Sequence, residues 1–465
     1  MPYEKDHVLL TDLYELTMCA SYFQEGLSRI ATFDLFIRDF PKNRSYFIAA
    51  GLSEALSYLA NLRFSREQIE FLRSKKIFKR DFLSYLKNLR FTGDVWAIPE
   101  GAVFFPNEPV LRVSAPIIEA QLVETCLLNT INLNTTIATK ASRVVLAAEG
   151  RAVIDFSLRR TQGKDAGIKG SRASYIAGCL GTSNVLAGMK YNIPLFGTMA
   201  HSFVMSFKSE EESFRAYARS FPDSATLLVD TYDTLSGVKN AVKIAKELEQ
   251  NGHKLKAIRL DSGNLVSLSR AARKILNRDG LAYVKIFASG NLDEYKISAL
   301  IKKGAQIDAF GVGTAMGVSR DAPYCDVIYK LSELRDNQDI FPAMKLSKKK
   351  ATYPGRKQVW RIFDKKGNFL KDVLGLENEK LRGKKLLVKV MEKGNLAYRP
   401  PSLEEIRKNA AANLAKLPLK YQQLTNSARY SVEISPQLNV LTERLMYELE
   451  KNQKSRTGHK KSKRK

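Results

Sequence analysis

Between residues 151 and 331 the chain repeats one design: a short, almost continuous apolar run that stops at a polar residue or glycine, then a stretch with helical period. The runs read AVIDF (152–156), NIPLFGT (192–198), TLLVDT (226–231), AIRLDS (257–262), VKIFASG (284–290) and DAFGVGT (308–314), with CDVIYKL (325–331) expected as a seventh. Apolar runs of this kind suit strands buried on both faces, as in parallel sheets. In the intervals, Thr234 or Ser236 can cap SGVKNAVKIAKELEQNG, where Val238, Ala241, Val242, Ile244, Ala245 and Leu248 form one stripe ending at Gly252. LVSLSRAARKILNRDG repeats the design up to Gly280, and DEYKISALIKKGA runs from Asp293 to Gly304. The strand-ending positions Asp230, Asp261, Ser289 and Thr314 lie 31, 28 and 25 residues apart, as a strand–helix–strand unit requires. Serial units of this kind close into a barrel or lie in a doubly wound sheet. No G-x-G-x-x-G opens the first helix and no reversal point interrupts the series, so an α/β barrel is expected.

The flanks read differently. Residues 1–125 hold a helical entry segment, a strand at ATFDLFIRD, helices over 51–62 and 65–89, and a Gly/Pro-punctuated β segment, GDVWAIPEGAVFFPNEPVLRVSAP. One long helix is expected over 117–148. After residue 331 come short strands (QVWRIFD, FLKDVLGL, LLVKVME) and two closing helices. The expected organisation is an N-terminal α+β domain (1–125), an α/β barrel (126–331), a C-terminal region (332–450) that packs on the N-terminal domain, and a basic disordered tail (451–465).

Composition bears mainly on partners. Lys and Arg number 75 against 48 Asp and Glu, a formal charge of +27. That invites a nucleic-acid reading, but eight of the basic residues crowd into the acid-free tail 451–465. A second cluster, KLSKKKATYPGRK (345–357), is a solvated surface or a loop facing an anionic substrate. Solvated surface ranks above nucleic-acid binding for the tail. Four scattered cysteines, Cys19, Cys126, Cys179 and Cys325, form no C-x-x-C pair, which argues against a zinc site or disulfide framework. The N-terminus lacks a secretory pattern, and the apolar stretch 46–62 contains Ser53, Glu54 and Ser57, too polar to span a bilayer. A soluble, cytoplasmic protein with no membrane partner is the expectation.

In a parallel barrel the C-terminal strand ends converge on one mouth, where reactions occur. The sequence places Arg159-Arg160-Thr161-Gln162-Gly163, Thr198, His201, Asp230, Arg259, Asp261, Ser289-Gly290-Asn291 and Gly311-Val312-Gly313-Thr314 there. Arginines, hydroxyls and glycine-exposed N–H groups make a site for anions, most naturally phosphates. Each has a plainer reading: GVGT as a tight turn, Asp230 and Asp261 as helix caps, Arg159 and Arg160 as a solvated pair. Arg259 lies within a strand, where an unpaired guanidinium is costly, so a structural carboxylate or a ligand anion should meet it. Of four histidines (His7, His201, His253, His459), only His201 follows a strand end, which favours a chemical role.

At these motifs the chain resembles nicotinate phosphoribosyltransferase. The segments are TDLYELTM (11–18), FIRDFPKNRSYFIAAGL (36–52), EGAVFFPNEPVLRV (100–113), DFSLRRTQG (155–163), FGTMAHSFV (196–204), LLVDTYDT (227–234), IRLDSGNL (258–265), ASGNLDE (288–294), FGVGT (310–314) and YPGRKQVWR (353–361). The resemblance covers about residues 5–440. It implies a type II phosphoribosyltransferase architecture: an incomplete (β/α) barrel beside an α+β domain built from N-terminal and C-terminal chain. It implies ATP-coupled transfer of phosphoribose from 5-phosphoribosyl-1-diphosphate to nicotinate in NAD biosynthesis, with Mg²⁺ and a homodimer. By motif, His201 is implied to be a transient phosphohistidine and Asp230 a residue needed for activity; Asp261 is added as catalytic because a carboxylate near the ribosyl centre stabilises positive charge there. The resemblance implies that Tyr14, Thr198 and Arg259 contact nicotinate and that Thr314 contacts phosphoribosyl diphosphate, and the strand-end reading adds Arg159, Arg160, Ser289, Gly290, Gly311 and Gly313 as expected contacts of the latter. The motifs assign no metal ligands. The rivals are a nicotinamide- or quinolinate-type transferase, or a nucleic-acid-binding protein using the basic tail.

Overall fold

The computed structural model describes residues 7–346, 352–426 and 428–462, with side chains to residue 451. Contacts divide the chain into two compact units, Thr136–Pro323 and, together, Met1–Thr135 with Tyr324–Lys465.

Within Thr136–Pro323, six parallel strands lie in the order Gly181–Thr182, Ala152–Asp155, Ala309–Val312, Lys285–Ala288, Ala257–Leu260, Thr226–Leu228. The last strand of this sheet in chain order, Ala309–Val312, pairs with the first, Ala152–Asp155, so the sheet has rolled onto itself and the doubly wound alternative falls away. Closure is incomplete. Beyond Gly181–Thr182 there is the single parallel bridge Thr182–Leu195. The helices His201–Met205 and Glu210–Ser220 then intervene before the strand at Thr226. NIPLFGT, expected as a full strand, contributes only that bridge, with Thr182 N–H donating to the Pro194 carbonyl and Phe196 N–H to the Thr182 carbonyl, because no strand among the described residues pairs with its length. The helices between strands bury the predicted stripe: Val238, Ala241, Val242, Ile244, Ala245 and Leu248 all face inward on Thr234–Gln250. Its cap is Asp233, not Thr234 or Ser236; the Asp233 carboxylate accepts the Ser236 N–H at 2.8 Å, the contact an N-cap residue makes with the third helical amide. Asn264 and Asp293 cap the next two helices in the same way.

The other unit carries a seven-stranded antiparallel sheet ordered Asp339–Pro342, Val327–Asp336, Ile30–Ile37, Pro109–Pro116, Asp94–Ala97, Val388–Glu392, Asn395–Leu396. A four-stranded sheet follows, ordered Lys384–Lys385, Lys357–Phe363, Phe369–Leu376, Val432–Ile434. CDVIYKL is therefore not a seventh barrel strand. Val327–Asp336 pairs antiparallel with Ile30–Ile37 along its length, which carries this segment out of the barrel unit. The 65–89 helix is two helices, Arg66–Ser74 and Arg80–Asn88, parted where Lys76 turns left-handed (φ 57°). The 117–148 helix likewise breaks into Ile117–Leu122 and Glu124–Ala147. The backbone of the tail, expected to be disordered, is helical to Ser462 as part of Pro436–Ser462. Its Lys, Arg and Gln are good helix formers even without an apolar face. Residues 463–465 lie outside the described residues, as do 347–351 of the second basic cluster.

Candidate active site

At the C-terminal ends of the barrel strands the backbone leaves the sheet and its side chains meet. Arg259, the third residue of Ala257–Leu260, projects into a cluster that engages four of its five N–H groups. Its Nε donates to Ser289 Oγ at 2.8 Å, one terminal nitrogen to Thr198 Oγ1 at 2.8 Å and the Met199 carbonyl at 3.3 Å, and the other to Asp261 Oδ1 at 2.6 Å. Of the two partners the sequence allowed, the structural carboxylate is the one present. Burial alone would push the Asp261 carboxyl up, but hydrogen bonds from Ser289 and Arg259, with the guanidinium charge, hold it below the usual carboxylate range.

Asp230 stands just past Thr226–Leu228. Its Oδ2 accepts from the Asp261 N–H at 2.8 Å and from Ser262 Oγ at 2.7 Å, so neither Asp230 nor Asp261 is a helix cap. Asp230 Oδ1 is buried and has no hydrogen-bond partner among the described residues, the state of an acceptor waiting for something the protein does not supply. His201 opens the His201–Met205 helix with its side chain 42% exposed. Its Nδ1 lies 3.1 Å from Thr231 Oγ1 and its Nε2 3.9 Å from Asp261 Oδ2.

Beside this polar cluster the barrel is hollow. A cavity of about 520 Å³ runs from Phe156 and Thr198, next to Arg259, to the N-terminal strand ends, where Lys256, Lys285 and Asp308 line it; Phe196, Tyr217 and Phe287 form much of its wall, where barrel interiors are ordinarily filled by side-chain layers. The Phe156 ring lies 5.9 Å from the Arg259 guanidinium carbon and packs tilted on Phe287 at 5.6 Å. Gly311 makes that packing possible: a Cβ there would sit 2.7 Å from the Phe156 ring and 2.8 Å from Phe287. Only the cavity's Phe156 and Thr198 end adjoins Arg259, and there an aromatic face and a guanidinium lie side by side.

Of the residues picked from sequence, Thr198, His201, Asp230, Arg259, Asp261 and Ser289 thus form one contact cluster. Gly290 abuts it, because a Cβ there would fall 1.9 Å from the Asp261 carbonyl oxygen. Gly313 packs on the Phe156 carbonyl, and Thr314 opens the four-residue helix Thr314–Gly317. Arg159 and Arg160 sit exposed on the Leu158–Arg160 turn, which packs on that helix, and their side chains form no hydrogen bond or ion pair among the described residues. Tyr14 belongs to the other unit, on the helix Leu13–Gln24, and is 49% exposed. Partial burial and the nearby carboxylates of Glu124, Glu15 and Asp12 raise its phenol.

Sequence reasoning passed over Phe156, Phe287, Thr231 and Ser262. The first two read as strand core, and only the missing side-chain layer gives them a cavity to line. Thr231 and Ser262 were within reach, each directly following an aspartate already singled out. Among the described residues there is no group of three or more His, Cys, Asp or Glu that could hold a metal ion. No described helix is long and apolar enough to cross a membrane.

Comparison with known proteins agrees with this geometry. Three family models match in order: the nicotinate phosphoribosyltransferase N-terminal domain over residues 9–132, the nicotinate phosphoribosyltransferase family over 152–373, and its C-terminal domain over 380–442. A nicotinate phosphoribosyltransferase of Mycobacterium tuberculosis is 47% identical over 93% of this chain and 93% of its own. The Bacillus subtilis enzyme of that name is 37% identical over 92% of each. The crystal structure of human nicotinic acid phosphoribosyltransferase superposes with a TM-score of 0.84 at 29% identity, covering 94% of this chain and 99% of that one. The incomplete barrel, its polar strand-end cluster and these matches together place the chain in the nicotinate phosphoribosyltransferase family.

Proposed function

We propose that this protein transfers phosphoribose from 5-phosphoribosyl-1-diphosphate to nicotinate, releasing diphosphate and forming nicotinate mononucleotide for NAD synthesis. The observation that carries the reading is the aromatic-lined cavity with Arg259 beside it. Nicotinate is a flat ring with one carboxylate, and a guanidinium is the group best shaped to hold that carboxylate. With four N–H groups already engaged, Arg259 has its remaining one to offer a ligand carboxylate. The neutral amide of nicotinamide gains far less there than a carboxylate does.

In the transfer, the pyridine nitrogen bonds to the anomeric carbon as the bond from that carbon to the diphosphate oxygen breaks, and diphosphate leaves with the bonding pair. The ribosyl carbon gains oxocarbenium character, which a carboxylate held charged stabilises. Asp261, kept ionised by Arg259 and Ser289, is suited to that role. The glycine-bearing turns at Ser289–Asn291 and Gly311–Thr314, with Arg159 and Arg160 on their exposed turn, take the diphosphate. Mg²⁺ is ordinarily held by one or two carboxylates together with substrate phosphates. The partnerless Asp230 Oδ1 fits such a contact, where the ion would neutralise charge on the departing diphosphate.

ATP coupling falls to His201. With the proton on Nε2, towards Asp261, the Nδ1 lone pair can attack the γ-phosphorus of ATP; ADP leaves, and the phosphohistidine is later hydrolysed. The exposure of this side chain gives a nucleotide access. The proposed assembly is a homodimer in the cytoplasm, where Tyr14 from one copy stacks on the nicotinate ring held by the other. The test is product analysis with nicotinate, nicotinamide and quinolinate, each with and without ATP. Nicotinate mononucleotide formed from nicotinate, faster with ATP, is the expected result. Equal or better turnover of nicotinamide or quinolinate would overturn the assignment.

A further inference from the structure

Behind the strand-end turns lies a buried ionic network that the transfer chemistry does not use. Lys140 and Arg143, on the helix Glu124–Ala147, are 2% and 1% exposed, and the Glu294 they share is fully buried. Lys140 Nζ donates to Glu294 Oε2 at 2.5 Å and to Asp321 Oδ1 at 2.7 Å, and Arg143 Nε donates to Glu294 Oε1 at 3.2 Å. Tyr295 completes the circuit, accepting from Arg143 at 3.3 Å and donating to Asp321 Oδ2 at 3.4 Å.

The two carboxylates come from different places. Glu294 begins the helix that follows Ser289-Gly290-Asn291, the turn after strand Lys285–Ala288. Asp321 lies beyond Gly313-Thr314, in the segment after strand Ala309–Val312. A single ammonium therefore joins the two segments that directly follow the turns assigned to the diphosphate. The first is the one under backbone strain, with Gly290 at φ 92° and Asn291 at φ 49°. Such conformations persist only where their surroundings over-determine them. Buried ion pairs add little net stability compared with apolar packing, and fixing geometry is their better-attested use. Lys140 and Arg143 are too enclosed to meet a dissolved phosphate.

We infer that Lys140, with Arg143, Glu294 and Asp321, is a positioning clamp that holds the two diphosphate-binding turns in register, so that its loss weakens phosphoribosyl diphosphate binding selectively. The inference rests on the proposed function and adds residues that touch no substrate.

The test compares Lys140→Met, Lys140→Arg and Asp321→Asn with the unaltered enzyme, in KM for each substrate and in calorimetric binding of inorganic diphosphate with Mg²⁺. Lys140→Met should raise KM for phosphoribosyl diphosphate at least tenfold and weaken diphosphate binding similarly, with KM for nicotinate changed less than threefold. Lys140→Arg, which keeps the charge, should recover most of the loss. If Lys140→Met does not fold, Asp321→Asn decides: its side chain is 25% exposed, and it severs only the second turn. It should raise KM for phosphoribosyl diphosphate three- to fivefold while sparing nicotinate. Equal changes in both KM values, or an unchanged diphosphate affinity in a folded variant, would refute the clamp. An unaltered enzyme that makes no nicotinate mononucleotide would instead remove the functional reading and the clamp with it.

Discussion

Arg259 shows how much one side chain can be asked to do at a strand end. Its charge is balanced by Asp261 and its plane is fixed by Thr198 and Ser289, so it is oriented before any ligand arrives. Pre-orientation of this kind lowers the entropic cost of binding. Replacing Arg259 with Ala should therefore raise KM for nicotinate on the order of 100-fold, about 3 kcal/mol for a lost charge-assisted pair, and leave KM for phosphoribosyl diphosphate within a few-fold. Steady-state kinetics with each substrate varied in turn checks this, and equal effects on both would remove the carboxylate role. His201 makes a sharper case, because it sits half-exposed between Thr231 and Asp261. Incubating the His201→Ala protein with γ-labelled ATP should give no acid-labile phosphoprotein, and phosphoribosyl transfer should lose its ATP stimulation. Label persisting on the variant would place the acceptor elsewhere.

Among the elements, the strand-end turns carry the polar groups and the strands fix their position. Gly290 is where the two meet. Its φ of 92°, and the mere 1.9 Å that would separate an added Cβ from the Asp261 carbonyl oxygen, leave no room for any other residue without moving the next strand end. Gly290→Ala should cost about 1–3 kcal/mol in strain and displacement, seen as a lower unfolding temperature, with a drop in kcat as Asp261 shifts. A variant with unchanged melting and kinetics would mean that the turn yields freely. Helix stripes and stops were legible at this scale because periodicity and capping are local properties. Two misreadings were not local. Whether NIPLFGT forms a strand depends on a neighbour to pair with, and whether CDVIYKL joins the barrel depends on the competing edge of Ile30–Ile37.

For the whole chain, the antiparallel unit is assembled from both ends of the sequence: Val327–Asp336 lies along Ile30–Ile37 and Val388–Glu392 along Asp94–Ala97. A chain ending at residue 323 would leave the Ile30–Ile37 and Asp94–Ala97 edges open, a template for aggregation. It should be recovered insoluble or without a cooperative melt; a soluble, cooperatively folding product would contradict the pairing. The same unit buries Glu15, whose carboxyl burial pushes up to about 7 against hydrogen bonds from Thr11 and Thr125 that lower it. A carboxyl with a raised folded-state pKa favours the fold below its unfolded value of 4.5 and loses that contribution as pH climbs through 7. Thermal stability should thus decline between about pH 5 and pH 8, by on the order of 1–2 kcal/mol from this group after screening. Glu15→Gln should flatten the decline, and an unaltered slope would locate it in other groups. By itself the sequence determined the βα rhythm, the polarity of the strand ends and which polar residues stand there, since each is written in local spacing and residue type. Only the tertiary structure decided where the barrel stays open, that its interior is hollow beside Arg259, and which carboxylate meets which cation. Those outcomes follow from pairing and packing between segments far apart in the chain, and no local pattern encodes the distance between them.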